Sequence, residues 1–247
     1  MEEDFEEIEE KERKVVVPGE VIGSGDLLPG EGTRKEDNKI IAQRYGLLDE
    51  NNKIIRVIPL SGVFIPRRGN IIIGKIEDIT FNGWLTDISA AHTSFLPVAE
   101  VPRYIDKHHL NEFLDIGDFF SAKILGVKQK GIDLSLDSRG LGKLDGGMII
   151  SVNPNKVPRI IGKNGSMIKL IKDETNTRIT VGQNGFIWIK GDNIEDELLA
   201  KKAIIFISER SAISGLTDKV QEFLNKEKGK WAIQKDLMEE NLMKQER

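Results

Sequence analysis

Apolar and polar positions change rhythm twice along this chain of 247 residues. From Val15 to Asn70 the β-branched runs are short. Pro18-Gly19, Pro29-Gly30, Asp49-Glu50-Asn51-Asn52 and Ser61-Gly62 interrupt them, and no helical period survives, which predicts an all-β unit of hairpins. One hairpin has its turn at Asp49 to Asn52, between YGLL and KIIRVIPL. Residues 69–139 offer five further strand candidates, GNIIIGKIEDI, GWLTDIS, TSFLPVAEV, DFFSAKILGV and GIDLSLDS, with one longer polar stretch, PRYIDKHHLNEFLDIG, before the fourth. Five short strands with a single helical insertion match a small Greek-key barrel of the OB type, with a small sandwich as the alternative.

Past the glycine-rich joint of Gly140, Gly142, Gly146 and Gly147, strand and helix begin to alternate. MIISVN reads as a strand and PNKVPRII as an apolar helical segment. In SMIKLIKDE, Met167, Ile168, Leu170 and Ile171 fall at helical spacing with Lys169 and Lys172 between them. TRITVGQ and FIWIKG are strands, IEDELLAKKAIIFISER is a long helix, and 213–247 is a charged, helical tail that packs or binds a partner. The fold class is therefore multidomain, β-rich plus α/β. Its expected divisions are an acidic tail at 1–14, an N-terminal β unit at 15–68, a barrel at 69–140, an α/β domain at 147–212 and the tail.

Charge refines this picture. The net charge is −4, yet MEEDFEEIEEKERK at the N-terminus carries −5, leaving the rest at +1, and Gly147 to Gly191 holds seven basic side chains against two acidic ones. That region has the charge to hold phosphate, although a charge run can equally be a solvated face. There is no cysteine, which removes disulfides, Cys-based zinc sites and thiol nucleophiles. No run approaches the roughly 18 apolar residues of a membrane span, and the acidic N-terminus is unlike a signal peptide. A soluble, cytoplasmic protein is expected.

The sequence RIIGKNGSMIKLI places two glycines and a lysine inside an apolar helical run. Glycine at 162 and 165 clears side chains from the loop, so a sugar-phosphate backbone can approach the main chain at the start of the next helix. Lys163 adds a full charge, Asn164 an amide donor, and Arg159 and Lys169 flank the loop with further phosphate contacts. Of Ile160 and Ile161, one is expected in the core and one on the floor of a groove for unpaired bases, with Ile160 counted among the binding residues. A second copy of the spacing, Gly182-Gln183-Asn184-Gly185, lies between two β-type runs, and there Asn184-Gly185 predicts a hairpin turn. A helix–loop–helix corner with an incidental lysine is the alternative for the first copy.

VPRIIGKNGSMI, within strand, helix, I-I-G-x-x-G, helix, hairpin and last helix, resembles the KH domain in its eukaryotic (type I) arrangement over about 147–212. The resemblance implies that the loop clamps about four nucleotides of a single strand. Residues 69–139, with G-x-I-x-x-G-K-I and I-D-L-S-L-D, are similar to the OB-fold RNA-binding domain first described in ribosomal protein S-one. That likeness implies stacking platforms and phosphate contacts: Phe81, Trp84 and Phe95 for the first, Lys75 and His92 for the second. The family's aromatic-Gly-aromatic pattern is displaced, with Asn82 and Leu85 where aromatics are common and Pro97 where histidine is typical.

The order of domains, an N-terminal β unit with V-x-P-G-E, then S-one, then KH, is the reverse of bacterial polynucleotide phosphorylase. It resembles the RNA-binding cap subunits of the archaeal exosome over about 15–212. That resemblance implies docking of the first unit on a hexameric ring of phosphorolytic subunits, three copies around the pore, and feeding of A-rich single-stranded RNA 3′ ends inward. No catalytic residue, metal ligand or cofactor is expected. His108 and His109 are adjacent in a polar insertion, and the acidic pairs fall near helix ends, where dipole terms account for them. A free-standing RNA-binding regulator or translation factor is the alternative, and an enzyme with an unrecognised site the third reading.

Overall fold

The computed structural model describes residues 14–106, 109–210 and 215–245, with side chains given as far as Lys230. The acidic tail as far as Arg13, His108 and the side chains of the last helix from Trp231 onward lie outside the described residues. The chain forms two compact units, Met1–Gly62 and Val63–Arg247.

The first unit is built from seven short strands: β1 (Val15–Val16), β2 (Val21–Ser24), β3 (Leu28–Pro29), β4 (Thr33–Glu36), β5 (Lys39–Ala42), β6 (Gly46–Asn51) and β7 (Ile54–Pro59). They form two sheets, ordered β1-β6-β7-β3 and β2-β5-β4. The expected hairpin is β6–β7, but its tip is Asn52-Lys53, later than the segment the sequence suggests. Both residues take positive φ (48° and 65°), the left-handed pair that a two-residue turn needs. Asp49 instead lies in β6 opposite Arg56 and accepts its Nε–H at 2.7 Å. Val16, Ala42 and Val57 form the small core.

The second unit opens with a barrel: β8 (Ile71–Thr80), β9 (Gly83–Asp87), β10 (Ser94–Pro97), α1 (Leu110–Phe113), β11 (Phe119–Lys128) and β12 (Gly131–Ser135). The order β12-β10-β9-β8-β11 closes through a β11–β12 pairing, so the five strands form a ring. In and just past β9 the buried residues alternate, as Trp84, Thr86 and Ile88. Of the polar insertion only the single turn α1 is helical among the described residues. Two residues, β13 (Gly142–Lys143), then pair with β11 and lead out of the barrel.

The last part has β14 (Met148–Ser151), α2 (Val157–Ile161), α3 (Ser166–Thr175), β15 (Arg178–Val181), β16 (Phe186–Lys190) and α4 (Ile194–Glu209), with the sheet ordered β14-β16-β15. This β-α-α-β-β-α order is the KH arrangement. The helices bury Ile160, Met167, Ile171, Ala203, Ile204 and Ile207 against the sheet's Ile150, Ile179, Ile187 and Ile189. A long helix, α5 (Leu216–Gln245), continues the same core through Leu216, Val220 and Leu224, and Phe223 stacks on Phe206 at 4.4 Å.

The barrel and the KH domain are joined by the second glycine pair. Gly182–Gly185 is the β15–β16 turn, as expected, but of Asn184 and Gly185 only Gly185 takes a positive φ (91°), and the turn closes with Gly185 N–H donating to Gly182 O at 3.0 Å. The tip docks on the start of β8, ahead of Lys75, where the pairing with β9 begins. Gln183 exchanges two hydrogen bonds with the main chain of Ile71, at 2.8 and 3.1 Å. Asn184, only 4% exposed, accepts from Ile73 N–H at 3.2 Å and donates to Ile73 O at 2.7 Å and Ile88 O at 3.0 Å. A Cβ at Gly182 would stand 2.8 Å from Ile73 N, so the approach requires glycine there.

Candidate nucleic-acid interface

The loop Gly162-Lys163-Asn164-Gly165 is set up by what precedes it. Asn153 caps a short turn by accepting from Asn155 N–H at 3.0 Å. Pro158 fits the first turn of α2. The helix ends after Ile161 because Gly162 takes φ 75° and ψ 175°. A side chain at Gly162 would be strained there, and its Cβ would sit 2.7 Å from that of Met167. Asn164 (φ 53°) and Gly165 (φ 78°) complete a left-handed corner that turns the chain into α3. No side chain caps the start of α3, where Gly165 N–H donates to Gly162 O and Ser166 N–H to Lys163 O within the corner; the helix N-terminus there carries the partial positive end of its dipole.

Around this corner Lys163 and Asn164 are exposed, Gly162 and Gly165 half-buried, and Arg159 on α2 and Lys169 on α3 exposed beside it. The structure thus brings Arg159, Gly162, Lys163, Asn164, Gly165 and Lys169 to one helix–loop–helix corner. Ile160 is a correction. It is fully buried in the KH core. Val157 and Ile160 lie three positions apart and share the inward face of a short helix, so Ile160 offers no surface to a base. Ile161, half-buried, is the isoleucine that reaches the surface.

On the barrel the candidates scatter. Trp84 is a second correction. Its ring is fully buried, its Nε1–H donates to Leu114 O at 2.8 Å, and it packs at 5.8 Å on Phe113. It is therefore core and not a stacking platform. Phe95 is half-buried on β10. Lys75, Phe81 and His92 are exposed, yet Phe81 is in the β8–β9 turn, whereas His92 is in the β9–β10 loop at the other end of β9. Lys75 is six residues before Phe81, about 20 Å along an extended strand. These three do not form one cluster.

Sequence reasoning passes over the segment after β10. There Arg103 and Tyr104 join Phe81 around a concavity of about 580 Å³ whose floor includes Val98, Val101 and Ile105. Phe81 is 72% exposed and Tyr104 95%. The signal is an aromatic and an arginine side by side in a polar insertion that reads as helix.

Among the described residues no group of three or more His, Asp or Glu side chains is placed to hold a metal ion. His109 bonds Glu112 at 2.7 Å. That hydrogen bond raises the imidazole above its ordinary pKa. No described helix is long and apolar enough to cross a membrane.

Two family models match: the KH domain over residues 147–195 and the exosome RNA binding protein RRP4 N-terminal domain over residues 13–61. The exosome complex component Rrp4 of Methanothermobacter thermautotrophicus is 44% identical over 216 residues, covering 87% of this chain and 69% of the relative. That of Methanothermus fervidus is 44% identical over 217 residues and is covered to 96% of its length. The chain belongs to the Rrp4 family. A crystal structure described as an exosome complex RNA-binding protein aligns with TM-score 0.61 and 30% identity, over 68% of this chain and 98% of the other. The Rrp4 frame accounts for the N-terminal β unit, which composition alone could not place, and for a KH domain preceded by an OB-like barrel.

Proposed function

We propose that this Rrp4-family chain is a non-catalytic RNA-binding subunit of an exosome, seated on a hexameric ring of phosphorolytic subunits. Three copies surround the entry pore, hold single-stranded, A-rich RNA and pass its 3′ end inward. The observation that supports this most is the exposed, basic GKNG corner of a KH domain in a chain 44% identical to an exosome component over 87% of its length. In this reading the corner binds the sugar-phosphate backbone, which gives affinity with little sequence information. In this reading the half-exposed Val15, Val17, Val21 and Leu28 of the first unit supply apolar contacts to the ring.

The test is reconstitution. The chain mixed with the ring subunits should form an assembly far above its own 27.7 kDa and raise RNA affinity and turnover, while the chain alone degrades nothing. A chain that stays monomeric with every ring subunit, or that cleaves RNA by itself, would overturn the proposal; the monomer would favour a free-standing regulator.

A further inference from the structure

In the KH sheet the register sets Arg178 of β15 directly across from Lys190 of β16. Their neighbours Ile179 and Ile189 are buried against the helices, so the two cations stand on the opposite face of the sheet. Like charges directly opposite in an antiparallel pair, with Cβ atoms roughly 5 Å apart, are destabilising. Among the described residues neither cation makes an ion pair with a carboxylate. Lys190 Nζ donates to Asp145 O at 2.7 Å, which fixes the ammonium and leaves its other N–H donors unused, while the exposed Arg178 presents its guanidinium fork to solvent.

The pair lines a polar recess of about 590 Å³ together with Lys172, Thr177, Asp173 and Asp192. Lys172 is in the last turn of α3, where the negative end of the helix accounts for it. No such partner accounts for Arg178 and Lys190. Three cations against two carboxylates leave the recess one net positive charge, which matches a single phosphodiester better than a dianion. A guanidinium fork beside a fixed ammonium holds one phosphate through charge-assisted hydrogen bonds. The volume suits one small group, whereas a stable protein contact needs a larger, flatter area. We propose that Arg178 and Lys190 form a phosphodiester site at the end of the KH sheet, a second hold on the strand that the GKNG corner grips. The site rests on the reading of the chain as a single-strand RNA binder. Helix α3 separates the corner from the recess by ten residues, about 15 Å at a rise of 1.5 Å each. A strand of about 12 nucleotides, about 40 Å even when stacked, reaches both, and the second contact is then an intramolecular event.

The experiment measures binding of the full chain to a fluorescent RNA of about 12 nucleotides across a range of salt concentrations. The variants are Arg178→Ala, Lys190→Ala, Arg178→Lys, the charge control Lys226→Ala on the exposed face of α5 and, for comparison, Lys163→Asp with Asn164→Asp. Losing one phosphate contact to a single strand should flatten the plot of log affinity against log salt by about 0.7. Binding at low salt should weaken several-fold, alike for every base sequence. Arg178→Lys should keep most of the slope, since its charge remains, and Lys226→Ala all of it. If Lys190→Ala melts lower because Asp145 O loses its donor, Arg178→Ala alone decides. Wild-type affinity and slope in Arg178→Ala, alongside lost binding in the Lys163/Asn164 variant, would overturn this site and leave the RNA reading standing. An equal loss in Lys226→Ala would mark a diffuse field and overturn it as well. Inorganic phosphate exchanged for chloride at constant ionic strength separates the two sources of the anion: the difference between wild type and Arg178→Ala should persist at millimolar phosphate, and its disappearance would give the recess to the free ion. Unchanged RNA affinity with weakened assembly on the ring would give it to a protein and sink the proposal too. A wild-type chain that binds no RNA would overturn both readings.

Discussion

Truncating Asn184 to alanine should loosen the joint between the barrel and the KH domain, leaving the two Gln183–Ile71 bonds in place. The side chain serves three main-chain groups, Ile73 N–H, Ile73 O and Ile88 O. At about 1 kcal/mol net per hydrogen bond the joint loses about 3 kcal/mol. If all three groups stayed dry and unsatisfied the cost would rise toward ~9 kcal/mol. The neighbouring Gln183 is exposed, so water can reach the vacated space and the lower figure governs. Native-state hydrogen exchange reads this directly. If the Ile73 amide opens with the joint, it should exchange roughly 150-fold faster, since each 1.4 kcal/mol is a factor of ten. Urea unfolding followed at Trp84 for the barrel and Trp188 for the KH sheet should separate into two transitions. An unchanged Ile73 exchange rate and a single unshifted transition would refute the claim that the Asn184 amide, beside the two Gln183 bonds to Ile71, carries a large share of the coupling between the two domains.

Two further outcomes follow from the buried groups. Trp84→Phe should destabilise the barrel, because Leu114 O loses its donor at the core, yet leave RNA affinity per folded molecule unchanged; a selective loss of RNA affinity with normal melting would restore Trp84 as a platform. Glu227 is buried between Lys202 at 2.8 Å and Lys230 at 2.5 Å, and chiefly the Lys202 hydrogen bond lowers its pKa from the ordinary 4.5 to about 2. A carboxyl whose folded pKa is depressed contributes stability above its unfolded pKa and loses it as pH falls toward the folded value. With both lysines half-exposed that contribution is about 1 kcal/mol. Wild type should therefore melt above Glu227→Gln at pH 6, and the gap should shrink between pH 4.5 and about 2; a pH-independent gap would contradict it.

Local patterns carried most of the fold. Helix α3 was legible because Met167, Ile168 and Ile171 repeat at helical spacing before a lysine-rich face, and the barrel strands because each is a short apolar run between turns. The misplaced residues had signals of their own. Trp84, Thr86 and Ile88 alternate at period two, which puts the indole inside, and Val157 with Ile160 marks the inward face of α2. What no local pattern holds is the docking of Asn184, whose partners lie 111 and 96 residues away. A turn asparagine looks the same in sequence whether it faces water or another domain. The 103–104 segment was missed for a related reason: a one-turn helix imposes no period on the residues before it.

The central claim is that the bare, basic corner at residues 162–165 grips the phosphate backbone of a single strand. Binding of RNA to wild type and to the double variant Lys163→Asp/Asn164→Asp, measured across a range of salt concentrations, tests it most directly. Both side chains are exposed, so the variant should melt like wild type. Because each phosphate contact releases counterions, it should bind several-fold or more weakly, with a shallower dependence on salt. Equal affinity and an equal salt slope in the two proteins would contradict the account.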